Sequence, residues 1–111
     1  MANEYVVILC IVNDGFSVIA LAAGKQFGAR GGTVLHGRGT ASKEAEKFFN
    51  ISIQPEKEIV MILIKKEIKE AILHGLYNAI GSSTPAQGIA FALPVDDVIG
   101  IDSNLKKKKE D

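Results

Sequence analysis

Two runs of aliphatic residues constrain the fold of this 111-residue chain more than any other feature of its sequence. One covers residues 5–12 and the other covers residues 59–64, and both are almost free of polar side chains. Neither approaches the roughly 20 apolar residues that a membrane-spanning helix needs. Short runs rich in β-branched residues are typical of strands covered on both faces. We therefore expect two central strands of one sheet, covered by helices or by another subunit.

Composition narrows the class of protein further. The chain is 47% hydrophobic, which is enough for one compact domain with a core of its own. Thirteen basic residues balance thirteen acidic ones, so no overall field attracts nucleic acid or an anionic membrane. The single cysteine, Cys10, lies inside the first apolar run and is expected to be a buried, inert thiol. With no secretion signal recognisable, we expect a cytoplasmic location.

The remaining pattern predicts six elements in the order βαββαβ. A turn and N-cap at Asn13-Asp14-Gly15 begin a helix that Gly28 ends, and a second helix runs from Ile68 to Gly81. Further strands are expected at residues 31–37, 58–64 and 88–95, with the last one stopped by Pro94 and followed by a short terminal element at 96–101. This order predicts an α+β, ferredoxin-like sandwich, in which two helices cover one face of a four-stranded antiparallel sheet.

The domain organisation follows from the same elements. We expect a single domain over residues 1–105 and a solvated charged tail over residues 106–111. Between the second and third strands, residues 38–55 form an unusually long connection, and such connections in small domains are typically functional.

Two separated motifs carry a resemblance to a known family. The stretch from Gly28 to Thr40, GARGGTVLHGRGT, resembles the second strand and loop start of PII nitrogen-regulatory signal proteins. The stretch from Gly88 to Ile101, GIAFALPVDDVIGI, resembles the family's last core strand with its Pro-Val pair and acidic ending. The resemblance covers about residues 4–101 and points to a divergent PII-like protein.

The resemblance implies both an assembly and a function. It implies a trimer with ligand clefts between neighbouring subunits, in which residues 38–55 correspond to the long T-loop. In the family, the loops around each cleft bind an adenine nucleotide (ATP, ADP or AMP), and the T-loop docks on a transporter, enzyme or regulator. The chain departs from the family at four points: residues 38–55 contain no tyrosine, Gly39 replaces the usual glutamine, residues 82–88 lack the Asp-Gly-Lys pattern that contacts phosphate, and no paired arginines follow Ile101. An adenine nucleotide is the first candidate ligand, and another small anion such as bicarbonate is the second.

The candidate ligand-binding residues lie in two loops. Near the long connection they are Gly37, Arg38 and Gly39, and in the loop after the second helix they are Thr84, Gln87 and Gly88. The arginine offers a planar donor to an anion, and the glycines allow backbone N–H groups to approach it. The alternatives are a solvent-facing arginine, ordinary turn glycines, and turn formation by Thr84 and its neighbours.

The sequence offers no catalytic or metal set by spacing. His36 and His74 are far apart and lack companions at ligand spacing, and the adjacent Phe48 and Phe49 are candidates for a partner contact or a self-contact. We therefore predict a non-enzymatic sensor that regulates a partner protein through the long loop. The alternative is a small ferredoxin-like enzyme acting on a phosphorylated or anionic substrate. RNA binding is disfavoured because strands one and three carry aliphatic rather than aromatic residues.

Overall fold

A computed structural model of the chain describes residues 4–40 and 55–101. In chain order, the elements are β1 (Tyr5–Asn13), α1 (Ser17–Gln26), β2 (Thr33–Arg38), β3 (Glu56–Lys65), a 3-10 turn (Lys66–Ile68), α2 (Lys69–Ile80) and β4 (Ile89–Val95). The predicted βαββαβ order is confirmed, and both predicted central strands are found.

The four strands form one antiparallel sheet in the order β2-β3-β1-β4. The two apolar runs occupy its two central positions, where Ile8 of β1 lies opposite Ile62 of β3. β4 is an edge strand that pairs with β1, so Pro94 is tolerated within it because one side of this strand donates no hydrogen bonds to a neighbour. The strand accordingly continues through Pro94 to Val95 instead of stopping there.

The hydrophobic core lies between the sheet and the two helices. Alternate residues of β1 and β3 point into it and meet Ala20 and Ala23 of α1 and Ile72, Leu76 and Ile80 of α2. The strand residues in this core are Val6, Ile8, Cys10, Val12, Val60, Ile62 and Ile64. Burial raises the pKa of the Cys10 thiol to about 12, so the thiol stays protonated at neutral pH and is unreactive, as predicted.

Two local expectations were wrong. The expected side-chain cap of α1 from the Asn13–Gly15 turn is absent, since Phe16 occupies the N-cap without a side-chain hydrogen bond. Glu58 of β3 accepts the free backbone N–H groups there instead. The short terminal element expected at residues 96–101 forms neither a helix nor a strand, because the chain bends at Asp96 and again at Gly100, whose φ is +94°.

Several predictions lie outside the described residues. Most of the proposed T-loop, including Phe48 and Phe49, belongs to residues 41–54, and the charged tail belongs to residues 102–111. In the described part of the chain, neither helix has the length and apolar character needed to cross a bilayer.

Candidate functional site

The face of the sheet opposite the helices is apolar and open. No described element covers it, and it exposes Leu63 to 40% and Ile89 to 57%. Its side chains come from the alternate residues of all four strands that do not point to the core: Tyr5, Val7, Leu9, Ile11, Leu35, Ile59, Met61, Leu63, Ile89, Phe91 and Leu93. Contiguous exposed apolar surfaces of this kind usually mark an interaction site.

One end of the sheet carries a row of polar groups next to this open face. Gly37 of β2 lies opposite Lys57 of β3, and Lys57 in turn lies opposite Asn13 of β1. The Nζ of Lys57 donates a 2.7 Å hydrogen bond to the Oδ1 of Asn13. The backbone N–H of Asn13 donates to the carbonyl of Ala86 at 3.0 Å, which attaches the loop after α2 to the same row.

Asn13 is the residue that joins this row together. Its amide Nδ2 donates to the carbonyl of Pro85 at 3.1 Å and to the Oε1 of Gln87 at 3.3 Å, while its Oδ1 accepts from Lys57. Lysine only donates and a carbonyl only accepts, so the bridging side chain must offer one acceptor and one donor. Asparagine meets this demand, and neither aspartate nor leucine does.

Arg38 lies at the end of β2, one residue beyond the row. Its Nη1 is 3.8 Å from the Oε2 of Glu56, and both side chains are largely exposed, at 75% and 61%. An ion pair this exposed contributes little to stability. The guanidinium therefore remains accessible to an anion that approaches the sheet edge.

The segment between β2 and β3 leaves and returns at this edge. The N–H of Gly39 donates to the carbonyl of Pro55 at 2.7 Å, so the two ends of the segment are held together. A Cβ on Gly39 would meet the side chain of Lys57 at 3.0 Å. The side chain of Lys57 therefore occupies the space beside Gly39, where a larger residue would not fit without a shift.

The other predicted residues have structural contacts as well. The hydroxyl of Thr84 donates to the carbonyl of Gly81 at 2.7 Å and closes the turn after α2. The N–H of Gly88 donates to the carbonyl of Ile80, and a Cβ there would lie only 2.6 Å from that oxygen. Gln87 adopts a φ of +47°, which is uncommon for a residue other than glycine, and is joined to Asn13. The structure thus brings Gly37, Gly39 and Gln87 to one row, while Thr84 closes the turn after α2 and Gly88 packs closely against the end of α2 and against β1.

A second group of titratable side chains lies at the same end of the sheet, on the helix side. Glu58 is only 8% exposed, and its Oε1 accepts the backbone N–H groups of Ser17 at 2.8 Å and Gly15 at 2.9 Å. The hydrogen bond from the Ser17 backbone is the main reason that the pKa of Glu58 is lowered, against the opposing effect of burial. Its Oε2 faces the Nε2 of His36 at 3.5 Å.

A pocket of about 490 Å³ lies at the opposite end of the sheet. It is formed where the start of β1 and the end of β3 meet the chain after α1, and the cations Arg30 and Lys65 line it beside Leu63 and Gly100. An anionic group with an apolar body fits such a lining.

Sequence reasoning did not find Lys57, Asn13 or Glu58. From the sequence, Glu58 is expected only at the start of a strand and Asn13 only in a turn and N-cap, and Lys57 is given no role. Their contacts depend on strand register and on the approach of a loop 72 residues away in sequence, which no local pattern displays. The one signal in the sequence is the position of these polar residues at the ends of the apolar runs. Asn13 follows the run at 5–12, and Lys57 and Glu58 precede the run at 59–64.

Comparison with known proteins gives a fold but no sequence family. No protein-family model matches the chain, and no curated protein matches it in sequence. Among the solved structures that resemble it, three each match over at least 90% of this chain. Arabidopsis thaliana PII bound to citrate has a TM-score of 0.67 and 22% identity, with 92% of this chain and 84% of that chain covered.

The other two structures extend the comparison. A functionally unknown protein from Pediococcus pentosaceus has a TM-score of 0.63 and 20% identity, and it covers 90% of this chain and 100% of its own. The B. subtilis GlnK–ATP complex has a TM-score of 0.64 and 13% identity, with 92% of both chains covered. The chain therefore has the fold of PII proteins, as its two motifs predicted.

Proposed function

We propose that this protein is a PII-like regulator that forms a trimer, binds an adenine nucleotide in the clefts between protomers, and acts on a partner protein through residues 38–55. The observation that carries the proposal is the open apolar face of the sheet, which ends in Lys57, with Arg38 at the same end of the sheet. A two-layer sandwich leaves this face uncovered, whereas strands that are apolar on both faces normally have both faces buried. A copy of the chain supplies apolar strands of the same kind to cover them.

The nucleotide is proposed from the charge and the likeness in fold together. Lys57 and Arg38 provide two cations at one end of the sheet, and charge-assisted hydrogen bonds from both suit a phosphate. GlnK of this fold was solved as an ATP complex. The citrate bound in the plant PII structure is also an anion.

The pocket that Arg30 lines is proposed to complete the cleft. The polar row and this pocket lie at opposite ends of the sheet, so one protomer does not place both around one ligand. In a closed ring, head-to-tail contacts bring the row of one protomer to the pocket of the next. Arg38 and Arg30 then contact the same ligand from different protomers.

Native mass spectrometry of the full chain tests the assembly. A species of three times 11.9 kDa is expected at micromolar concentration, and a monomer would overturn the proposed trimer. Calorimetric titration with ATP, ADP, AMP and bicarbonate then identifies the ligand class. Release of phosphate from ATP or an acyl phosphate on repeated turnover would favour an enzyme instead.

Mixed trimers test whether the cleft is shared between protomers. Arg38→Ala and Arg30→Ala each remove one side of every cleft, so each variant alone is expected to bind nucleotide weakly. Unfolding and refolding an equal mixture of the two should restore about one cleft in four, because some neighbours then pair two intact sides. Each single variant refolded alone is the control, and a mixture that binds no more nucleotide than these two controls would contradict a shared cleft.

A further inference from the structure

We propose that Asp14, His36 and Glu58 form a binding site for a divalent cation of the zinc class, separate from the proposed nucleotide cleft. One nitrogen or oxygen atom from each of the three side chains lies within 4.8 Å of the corresponding atoms of the other two. Imidazole and carboxylate groups together are ligands that zinc accepts in proteins.

The geometry is already close to what zinc requires. Bonds of about 2.0–2.2 Å at tetrahedral angles place neighbouring ligand atoms about 3.3–3.6 Å apart. The Nε2 of His36 and the Oε2 of Glu58 are 3.5 Å apart. The carboxylate of Asp14 is exposed and lies within 4.8 Å of both, so its approach would complete three ligands and leave a fourth position for water.

The fold fixes two of the ligands before any ion binds. His36 and Glu58 are direct cross-strand partners in the β2–β3 register, and their side chains share the helix side of the sheet. Glu58 is nearly buried, and the N–H groups of Gly15 and Ser17 hold its Oε1, so that its Oε2 remains turned toward His36. These hydrogen bonds do for the carboxylate what outer partners do for known metal ligands, fixing its orientation.

Binding here would connect three parts of the chain that meet near the long segment. Asp14 belongs to the β1–α1 turn, Glu58 to the start of β3, and His36 lies three residues before Gly39, where the segment leaves the sheet. An ion that ties them together favours one arrangement of this end of the sheet. The metal would thus act on the start of the β2–β3 connection from the helix side of the sheet. An anion would act on the same connection from the polar row at Lys57.

The test uses the full chain after EDTA treatment and buffer exchange, without nucleotide. The chain has only two histidines, so nitrogen-detected NMR of the imidazoles resolves both rings in one experiment. On addition of zinc, the ring nitrogens of His36 are expected to shift with saturation at one equivalent, while those of His74 on α2 stay unchanged. Cobalt gives an independent readout through its visible absorption.

Matched variants separate this site from adventitious binding. His36→Gln and Asp14→Asn are each expected to weaken zinc affinity roughly tenfold or more, whereas His74→Gln leaves it unchanged. Zinc should also raise the Tm of the wild type and of His74→Gln but not of His36→Gln. The proposal is overturned if zinc does not saturate, if both imidazoles shift equally, or if His36→Gln binds as tightly as the wild type. None of these outcomes depends on whether nucleotide binds.

Discussion

The two faces of the central strands are made of the same kind of residue but end in different surroundings. On the helix side, Ile62 is fully buried and its face ends in Glu58, a carboxylate held by the N-terminus of α1. On the other side, the adjacent Leu63 is 40% exposed and its face ends in the cation Lys57. The comparison shows that an uninterrupted apolar strand requires cover on two sides, of which the described fold provides one.

The largest expected effect comes from truncating the buried side of this pair. Ile62→Ala leaves a cavity between the sheet and the helices and should lower the free energy of unfolding by about 2–5 kcal/mol. Urea denaturation at several protein concentrations measures it, and the loss should be present at every concentration.

The neighbouring position is the matched control for that experiment. Leu63→Asp places a charge on the open face, so it should convert the proposed trimer to a monomer in native mass spectrometry while the circular dichroism spectrum remains that of a folded domain. If Leu63→Asp remains trimeric, the open face is not the subunit contact and the distinction between the two faces fails.

Most of the sheet could be predicted from sequence because its central strands are apolar on both faces and therefore appear as continuous apolar runs. The runs at 5–12 and 59–64 identified β1 and β3, and helical spacing with Gly28 and Gly81 identified the ends of α1 and α2. The cap of α1 could not be predicted, since Glu58 reaches it from another strand. Local patterns predict the structure of a single segment, whereas this cap forms only when the start of β3 meets the start of α1.

The next largest effect concerns Arg38, an exposed cation at the end of β2. Arg38→Ala removes an exposed guanidinium whose partner, Glu56, is itself exposed, so stability should change by no more than about 0.5 kcal/mol. Loss of a charge-assisted hydrogen bond to an anionic ligand should weaken binding by roughly ten- to a hundredfold. Calorimetry with the adenine nucleotides and bicarbonate measures this.

A change of equal charge elsewhere serves as the control for Arg38. Lys25→Ala removes a cation from the last turn of α1, away from the polar row, and should bind the ligand as the wild type does. If a ligand is found and Arg38→Ala binds it with the same affinity as Lys25→Ala, the guanidinium has no role in binding.

A smaller effect distinguishes the two kinds of glycine at this end of the sheet. A Cβ at Gly88 would meet the carbonyl oxygen of Ile80 at 2.6 Å and a methyl of Val12 at 2.8 Å, and the backbone cannot easily retreat. Gly88→Ala should therefore cost about 1–3 kcal/mol in the free energy of unfolding. A Cβ at Gly37 would meet only the flexible end of Ile59 at 3.0 Å, so Gly37→Ala should cost clearly less. Equal losses in thermal or urea unfolding would contradict this account.

The candidate site could be predicted only in part, because its contacts, like the cap of α1, join segments that are distant in sequence. Gly37, Arg38 and Gly39 stand together in sequence, and in the described part of the chain Gly37 is connected to Gln87 through Lys57 and Asn13, which the strand register brings together. Sequence reasoning proposed candidate residues for anion binding. It did not identify those that hold them in place, because a lysine at the start of a strand has no distinctive pattern.

The smallest expected effect is electrostatic and belongs to the helix side. The backbone hydrogen bonds of Ser17 and Gly15 lower the pKa of Glu58 below that of an unfolded glutamate, which is about 4.3. A group whose folded pKa is lowered stabilises the fold above its unfolded pKa, and this contribution disappears as the pH falls through the folded value. In EDTA at one protein concentration, Glu58→Gln should therefore lose about 1 kcal/mol at pH 7, where it gives up charge assistance but keeps an accepting oxygen. Near pH 2 the free energies of unfolding of the variant and the wild type should converge.

The control is Glu56→Gln, which changes an exposed carboxylate on the same strand. Its free energy of unfolding should stay within about 0.5 kcal/mol of the wild type throughout. A constant difference between Glu58→Gln and the wild type from pH 7 to pH 2 would show that the ionised carboxylate is not what holds the start of α1.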